Sequence, residues 1–572
     1  MKVFLRLFIF GLLGSLLLPG YKPVTKEPDK IKVHTTLERT ILTIPVTSKD
    51  SIYPYEIGKY EKYGYGRWKY GPGLIPETRI DLMPAGYGKA QVRNAALLLT
   101  FFAMTDVHIT DEESPAQAIL FGYRGGASSA YSPVMMYTTH VLNAAVIAVN
   151  GLQKRKPFDF GIFLGDVANC TQYNEERWFI DVLDGKKVDP DSGSKDDPVP
   201  GPGNDYQDEF QAAGLDTSIP WYEALGNHDH FWLGTNPVYG SARDLRPVFT
   251  GREVLSMGNI FTDPKGFKHR DFYMGYLNGA TVYGDVTAVG KVSAFKTPPE
   301  VPSADPNRRS LTRNEWIAQF FHSTSGPVGH GFIPEDTISG FACYAFEPKK
   351  DLPLKVIVLD DTQSEKDADV HGYGHGTLDK KRYEWLVNEL DKGQKEGKLM
   401  IIAAHIPIGV EPAGSYIGWW SEAFIKEADL IAKLHTYPNL LMWIAGHRHY
   451  NAVTPFVSPD PLHPELGFWQ VETSSLRDFP QQFRTFGIYR NIDNTVSMRV
   501  TEVDPAVEYD SLAGVSRSYS IAAQQIFKNK LVPVPTGSCN AELVKQLSPE
   551  MMQKLLNTAK PNHSLHQQQS SE

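Results

Sequence analysis

Five apolar runs, each about the length of a buried β-strand, constrain the fold of this chain more than any other feature of its sequence. They are Leu97–Met104, Phe158–Leu164, Leu354–Leu359, Leu399–Ala404 and Leu440–Ala445. A short run in which nearly all positions are apolar predicts a buried strand. A stretch with helical spacing follows the first run at residues 134–152, and another precedes the fourth at 383–390. Alternation of strands with helices predicts an α/β fold.

The N-terminal residues 1–20 have the composition of an export signal. Lys2 and Arg6 form a short basic region, and the apolar stretch Leu7–Leu18 follows it. Twelve residues suit a signal sequence and fall short of the ~20 that span a bilayer. Because the segment has no clean cleavage site, an uncleaved membrane anchor stays open as the alternative. A cleaved signal and an uncleaved anchor both predict an exported protein, located in the periplasm, on the cell surface or outside the cell.

The rest of the chain divides around the apolar runs. We predict an N-terminal extension at residues 21–95, a main domain at 96–505, and a C-terminal extension with a polar tail at 506–572. Within the main domain, residues 183–217 and 231–350 are rich in Gly and Pro and lack regular patterning. Long irregular stretches of this kind predict insertions that form lids or substrate loops.

Composition excludes several classes of protein. Lys plus Arg is 57 and Asp plus Glu is 66, so the formal charge is 57 − 66 = −9. This acidic excess argues against a partner that is a long nucleic acid, which needs a basic surface. The chain has 3 cysteines and no C-x-x-C pair, so a disulfide-stapled scaffold and a zinc ribbon are excluded. One disulfide stays open at this point.

Polar residues follow four of these runs, and they also follow a further predicted strand end at Pro220–Leu225. In chain order they are Asp106 and His108, then Asp166 and Asn169, then Asn227, His228 and Asp229, then His405, and last His447 and His449. In open α/β sheets, ligands bind outside the carboxyl ends of the strands. We therefore expect these side chains to meet at one edge of the fold.

Carboxylate and imidazole groups together indicate a pair of metal ions of the transition series. Such a donor set suits Zn, Mn, Fe or Ni, whereas Mg or Ca would call for oxygen ligands alone. A carboxylate has two oxygens, so Asp166 is able to bridge two cations. Glycines directly before Asp166, Asn227 and His447 permit tight turns at the metals.

The motif series D-x-H, G-D, G-N-H-D, H and G-H-x-H resembles that of the calcineurin-like metallophosphoesterase superfamily over residues 96–505. The resemblance implies an α/β/β/α sandwich with four layers, built from two mixed sheets with long insertions. The blocks GDVANCTQYNE, GNHDHFW and SSLRDFPQQFR resemble a bacterial subgroup of exported enzymes. A distant similarity to purple acid phosphatases has one departure, because Asn169 stands where those enzymes carry a tyrosine ligand.

Carried over residue by residue, the resemblance assigns a role to each motif position. It implies a first metal held by Asp106, His108, Asp166 and His449, and a second held by Asp166, Asn227, His405 and His447. It also implies that His228 acts as general acid or transition-state stabiliser and that Asp229 orients its ring. As softer candidates for substrate binding we name Asn169, His230 and Arg477, the last through a bidentate phosphate contact.

The implied function is hydrolysis of a small phosphate mono- or diester by a hydroxide held between two metal ions. A nuclease or nucleotide phosphodiesterase of the same superfamily is the first alternative, and a non-catalytic binding scaffold is the second. The motifs of serine α/β-hydrolases and of P-loop enzymes are absent from the sequence. Membrane attachment is expected only through the N-terminal segment, and no sequence signal indicates an oligomeric state.

Overall fold

The computed structural model describes residues 32–49, 51–125, 128–240, 244–258, 269–366, 374–412, 414–415, 417–527 and 536–558. The predicted signal segment at residues 1–20 lies outside these residues, as does the polar tail from residue 559 onward.

The strands are numbered along the chain. They are β1 Arg39–Thr43, β2 Trp68–Pro72, β3 Glu77–Arg79, β4 Asn94–Met104, β5 Phe160–Phe163, β6 Lys187–Val188, β7 Phe210–Gln211, β8 Trp221–Glu223, β9 Ser256–Met257, β10 Phe272–Asn278, β11 Asp285–Lys291, β12 Tyr344–Phe346, β13 Leu354–Leu359, β14 Leu399–Ala404, β15 Leu440–Ala445, β16 Ala452–Phe456, β17 Phe468–Glu472, β18 Phe483–Asn491, β19 Val496–Val503 and β20 Ala541–Lys545.

The α-helices are numbered in the same way. They are α1 Tyr60–Tyr63, α2 Ile119–Tyr123, α3 Thr138–Gln153, α4 Tyr173–Leu183, α5 Arg246–Thr250, α6 Arg313–Gln319, α7 Asp336–Ser339, α8 Lys380–Lys395, α9 Glu427–Leu434, α10 Leu512–Ile526, α11 Thr536–Cys539 and α12 Pro549–Thr558. None of the helices in the described residues is long and apolar enough to cross a membrane.

Two large mixed sheets form the centre of the molecule. One has seven strands in the order β3-β20-β19-β18-β4-β5-β8, and the other has six in the order β12-β13-β14-β15-β17-β16. In the first sheet β4, β5 and β8 run parallel, while β18 and β19 are antiparallel. In the second sheet β13, β14, β15 and β17 run parallel.

The side chains of β13 alternate between two cores and show how the layers stack. Leu354 and Val356 pack into the core that the six-stranded sheet shares with the seven-stranded sheet. Ile357 points the other way and packs with Leu386 and Leu390 of α8. Helix α3 covers the opposite side of the seven-stranded sheet. The chain is therefore an α/β/β/α sandwich of two mixed sheets, and the predicted fold class is confirmed.

The predicted strand bounds agree best where a strand is buried along its whole length. The runs at 354–359, 399–404 and 440–445 coincide with β13, β14 and β15. The run predicted at 158–164 is longer than β5, because Asp159 turns its carboxylate to the backbone N–H of Thr100 at 2.8 Å. Strand β4 in turn begins at Asn94, before the predicted start at Leu97.

Segments outside the predicted domain also contribute to the sheets. Strand β3 lies in the segment 21–95 and pairs with β20 from the segment 506–572 at one edge of the seven-stranded sheet. The predicted insertions contain short sheets of their own, β6 with β7 and β9 with β10 and β11. Cys170, Cys343 and Cys539 are buried and free, so no disulfide joins them.

An aromatic stack joins three neighbouring strands of the seven-stranded sheet. The ring of Phe101 in β4 lies between Phe160 of β5 and Phe486 of β18, with centroids 4.7 and 4.5 Å away. Phe101 has no exposed surface. Offset stacking of buried rings adds to the free energy of burial.

We predict that Phe101→Ala lowers the free energy of unfolding by about 3–5 kcal/mol, since it removes a fully buried ring and leaves a cavity. Phe101→Leu keeps most of the apolar volume and is expected to lose clearly less. Chemical denaturation of the two variants beside the wild type measures the difference. Equal stability of Phe101→Ala and wild type would contradict the packing role given to this stack.

Candidate metal centre

The predicted ligands all follow strands of the two parallel regions. Strands β4, β5 and β8 of one sheet lead to Asp106, His108, Asp166 and Asn227, and strands β14 and β15 of the other lead to His405, His447 and His449. Parallel strands end at the same edge of a sheet, so the packed sheets bring both sets together.

The backbone at most of these positions is left-handed. The φ angles are 51° at Asp106, 49° at His108, 55° at Asp166, 69° at His447 and 61° at His449. A left-handed conformation costs about 1–2 kcal/mol for a residue with a side chain. Such strain persists only where surrounding contacts fix the backbone, and it is concentrated at functional sites.

The first group of donors consists of Asp106, His108 and His449. The Nε2 atom of His449 lies 3.3 Å from Asp106 Oδ1 and 3.1 Å from His108 Nε2. Asp166 Oδ2 is 3.7 Å from the same His108 nitrogen. Asp106 and His108 are fully buried, whereas the His449 side chain is 19% exposed and gives this group access to solvent.

The second group of donors consists of Asp166, His405, His447 and Asn227. The Nε2 atom of His405 lies 3.2 Å from Asp166 Oδ2 and 3.3 Å from His447 Nδ1. The side-chain oxygen of Asn227 lies 3.1 Å from that same His447 nitrogen. Asp166 Oδ2 therefore faces both groups, while its Oδ1 accepts a hydrogen bond from the backbone N–H of His228 at 2.8 Å.

The spacing of these donors fits metal coordination. Two donors that each lie about 2.1 Å from one ion, at about 90–110° to each other, stand about 3.0–3.4 Å apart. One buried donor atom of the cluster, Asp106 Oδ1, has no hydrogen-bond partner. Nitrogen and oxygen donors are combined in each group. The residues thus fit two transition-metal ions with Asp166 between them.

Two further contacts hold the imidazole rings with Nε2 toward the cluster. His405 Nδ1 lies 2.7 Å from the carbonyl oxygen of Leu164, and His449 Nδ1 lies 2.6 Å from Asp478 Oδ2. A hydrogen bond at Nδ1 fixes both the tautomer and the direction of the other nitrogen. The sequence did not single out Asp478, although it follows β17, which is another strand of the parallel set.

Opposite charges dominate the electrostatics of the cluster. Burial alone would lower the pKa of His405, but the carboxylate of Asp166 outweighs it and raises that pKa to about 10. Asp106 acts in the same way on His449, whose pKa rises to about 10 against burial. At His447, burial together with the charge of His405 outweighs the attraction of Asp166 and Asp106 and lowers the pKa to about 3. Its ring is therefore neutral.

His228 lies beside the first group and is held by a backbone carbonyl. Its ring packs edge-on against His108, with centroids 4.5 Å apart, and its Nδ1 lies 2.8 Å from the carbonyl oxygen of Asn169. Burial lowers the pKa of His228 to about 3, so the neutral ring donates from Nδ1. A side chain at Gly234, where φ is +65°, would meet the ring of His228 at 2.2 Å.

Asp229 has a different role from the predicted one of orienting His228. Its carboxylate accepts hydrogen bonds from the backbone N–H groups of Asp166, Val167, Ala168 and Gly226, at 2.8–3.1 Å. These contacts fix the strained turn that carries Asp166. The ring of His228 is oriented instead by the carbonyl of Asn169.

The three residues predicted to bind substrate are engaged elsewhere. Arg477 is buried and donates to Asn169 Oδ1 at 2.5 Å and to the carbonyl oxygen of Ser128 at 3.3 Å. His230 contacts Thr362 Oγ1 at 2.9 Å and Glu365 Oε1 at 3.0 Å. A cavity opens in front of the two groups of donors, and none of Asn169, His230 and Arg477 is among the described residues that line it. A direct substrate contact by these side chains is therefore not supported.

A cavity of about 1270 Å³ opens onto the cluster. One wall is formed by the donors and their neighbour, namely Asp166, Asn227, His228, His447 and His449, and other parts are apolar and include Ile41, Leu42, Ile44, Leu74 and Ile417. The N-terminal segment before residue 96 thus covers part of the space in front of the cluster.

Comparisons with known proteins give a structural likeness but no sequence match. No protein-family model matches the chain, and no curated protein sequence matches it. The crystal structure of a dimetal phosphatase from Danio rerio aligns with 72% of this chain and 98% of its own, at 13% identity and a TM-score of 0.38. A likeness of that size assigns neither a family nor an activity to this chain.

We predict that Asp478→Asn weakens metal binding by about 10–100-fold, because the amide cannot hold the His449 ring as the carboxylate does. Titration of the metal-depleted chain with Zn²⁺ or Mn²⁺ measures the affinity. Asp429→Asn, which removes an exposed carboxylate from α9, is the matched control and is expected to bind like wild type. Unchanged affinity of Asp478→Asn would show that this contact does not support the centre.

Proposed function

We propose that this chain is a dinuclear metal-dependent phosphoesterase of the calcineurin-like metallophosphoesterase superfamily. The observation that carries the proposal is the position of Asp166 Oδ2, which lies 3.7 Å from His108 Nε2 and 3.2 Å from His405 Nε2. One carboxylate oxygen therefore faces two separate sets of donors at the edge where the parallel strands end. The order of the motifs along the chain supports the same superfamily.

The chain's own groups suit the hydrolysis of a phosphate ester. Ions bound by the two groups would supply Lewis-acid activation of a phosphoryl oxygen and of the attacking water. Asn227 lines the cavity and presents an uncharged amide to the substrate side. His228 lines it too, and since Nδ1 is held by the Asn169 carbonyl, Nε2 is the nitrogen left to take up a proton or accept a hydrogen bond on the substrate side.

The substrate that we propose is a small phosphate mono- or diester with an organic group. The cavity of about 1270 Å³ is larger than the roughly 300–1000 Å³ of common ligand sites, so it has room for such a group beside the phosphate. Apolar side chains such as Leu42 and Leu74 would contact the organic part. A nucleotide substrate remains within this class, and the acidic net charge of −9 disfavours long nucleic acid.

The proposal extends to the cellular location of the enzyme. The basic and apolar composition of residues 1–20 supports export, with an uncleaved segment as the means of membrane attachment. The subgroup of exported bacterial enzymes, which the blocks around Asp166 and His228 resemble, is part of the same proposal.

The first test measures metals and turnover together. We expect the purified chain to hold about two transition-metal ions and to hydrolyse p-nitrophenyl phosphate or bis-p-nitrophenyl phosphate, with activity lost on chelation and regained with Mn²⁺, Fe²⁺, Zn²⁺ or Ni²⁺. Asp166→Asn should lower the content of both ions because its oxygen faces both groups. His463→Gln, an exposed histidine outside the cavity lining, is the control and should match wild type.

The outcomes separate the alternatives. Two ions without turnover of either ester would indicate a substrate that these probes do not resemble, and nucleotide diesters are tested next. If the chain binds no ion and hydrolyses neither ester with any supplied metal, the proposal is rejected and the non-catalytic scaffold is the alternative that remains.

A separate prediction concerns His228. We expect His228→Ala to keep both ions and to lower kcat by about 10²–10⁴-fold, the usual range for loss of a proton-transfer group. The same histidine also lies within reach of His108 and Asp166 as a third candidate ligand. Loss of an ion in His228→Ala would make it a ligand, and undiminished turnover would remove it from the mechanism.

A further inference from the structure

The insertion at residues 183–217 places carboxylates against the loop that follows the predicted ligand His108. Glu113 of that loop and Asp191 and Asp196 of the insertion each bring one carboxylate oxygen within 4.8 Å of the others. The charge of Asp191 also acts on the neighbouring Glu112. We call these four residues the acidic cluster.

The two glutamates of the acidic cluster are buried, its two aspartates are partly buried, and several of its oxygens lack hydrogen-bond partners. Glu112 is 3% exposed and Glu113 is 2% exposed. One oxygen of each of the four carboxylates, namely Glu112 Oε1, Glu113 Oε2, Asp191 Oδ1 and Asp196 Oδ1, is buried without a hydrogen-bond partner. A buried polar atom without a partner costs about 1–3 kcal/mol, and more when it is charged.

A neutral side chain points into the same place. Gln207 is 3% exposed, and neither atom of its amide has a hydrogen-bond partner. A Cβ atom on Gly279 would lie 2.3 Å from Gln207 Nε2 and 2.7 Å from Glu113 Oε1, so these two atoms are at most 5.0 Å apart. Rotation of the amide by 180° presents its oxygen at the same position. The absence of a side chain at Gly279 leaves this space open.

The positive side chains nearest to the acidic cluster are held mainly by other groups. Lys195 Nζ lies 2.6 Å from Asp189 Oδ2, whereas its distance to Asp191 Oδ2 is longer, at 3.7 Å. Arg308 donates to Asp111 at 3.1 Å and to Ser192. The acidic cluster therefore has more negative groups than these two cations balance.

The pKa values agree with this imbalance. Burial, with the added repulsion of Glu112 and Asp111, raises the pKa of Glu113 to about 11. Burial likewise raises the pKa of Asp191 to about 7, against the attraction of Lys195. A bound cation would remove this penalty and let the carboxylates ionise.

We propose that Glu113, Asp191 and Asp196, with Glu112 and Gln207 beside them, bind a structural Ca²⁺ ion that joins the insertion to the loop after β4. Every donor is an oxygen, which is the preference of a hard cation, and no nitrogen or sulfur ligand is present to favour a transition metal. Ca²⁺ takes 6–8 oxygens at about 2.3–2.6 Å, so oxygens on one coordination sphere lie up to about 4.8 Å apart.

A second acidic group in the insertion lacks these properties. Asp197, Asp205 and Asp208 also come together, but their carboxylates accept hydrogen bonds from backbone amides. Asp208 Oδ2 accepts from the N–H groups of Asn204 and Asp205 at 2.6 and 3.1 Å, and Asp205 Oδ1 accepts from Gln207 at 3.0 Å. These aspartates stabilise their own turn, and no ion is needed to satisfy them.

The test uses the full chain loaded with its transition metals, and it does not depend on phosphoester hydrolysis. Calorimetric titration with CaCl₂ is expected to show one Ca²⁺ per chain in addition to the ions of the metal centre. Because Ca²⁺ binds the folded chain, the Tm is expected to rise with its concentration. MgCl₂ at the same concentrations should bind more weakly, since Mg²⁺ demands octahedral geometry and loses water reluctantly.

Matched variants locate the site. Glu113→Gln and Asp191→Asn should each weaken Ca²⁺ binding at least about 10-fold and abolish the rise in Tm, while the transition-metal content stays unchanged. Asp189→Asn removes the same charge two residues from Asp191, at a carboxylate that pairs with Lys195 at the surface, and should bind Ca²⁺ like wild type. If Glu113→Gln does not fold, Asp191→Asn decides alone, because its side chain is at the edge of the acidic cluster.

Three results would overturn the proposal. They are the absence of Ca²⁺ binding beyond the metal centre, wild-type affinity in Glu113→Gln and Asp191→Asn, and an equal loss in Asp189→Asn. The last result would mean that Ca²⁺ binding depends on the net charge of the loop and not on a defined set of ligands. Stronger binding of Mg²⁺ than of Ca²⁺ would likewise reject the assignment of the ion.

Discussion

The structure depends on the burial of Asp166 between two sets of imidazoles. A buried, charged carboxylate is stable only when positive or hydrogen-bonding groups offset the cost of removing its charge from water. Burial opposes the charge of Asp166, yet His405 and His228 keep its pKa below the ordinary value. The turn that carries it is left-handed, with φ of 55°. The carboxylate of Asp229 fixes that turn through the backbone amides of Asp166, Val167 and Ala168, so one buried acid holds another in place.

The pairing of the sheets is a second condition for the same centre. Asp106, Asp166 and Asn227 come from the seven-stranded sheet, and the histidines at 405, 447 and 449 come from the six-stranded sheet. Neither sheet supplies a complete set, because each group of donors draws on both. The apolar core between the sheets therefore sets the donor distances, and the packing of residues such as Phe101 and Val356 acts on the metal centre from a distance.

Sequence patterns predicted the strands where burial is uniform, and local motifs predicted which residues come together in the two groups of donors. Strands such as Leu354–Leu359 have apolar residues on both faces, so their bounds follow from composition alone. The start of β5 at Phe160 depended on a contact between Asp159 and Thr100 that spacing does not reveal. The orientation of His228 comes from a backbone carbonyl, which every residue has, so no side-chain type at position 169 could indicate it. Asp478 was missed because it acts only through His449, across the fold.

Glu175 connects the loop after β4 with the loop after β5. Its carboxylate accepts hydrogen bonds from the backbone N–H groups of Asp111, Asn169 and Cys170, at 3.0, 3.2 and 2.7 Å. Asp111 in turn accepts from Ser192 of the insertion at 2.7 Å, so the insertion, both ligand loops and the acidic cluster form one hydrogen-bonded unit. Displacement of the insertion would shift Asp111, and Glu175 would pass that shift to the loop that carries Asp166. The backbone N–H of Glu113 in the acidic cluster also donates to Asp111 at 3.2 Å, so hydrogen bonds connect the acidic cluster to the loops that carry His108 and Asp166.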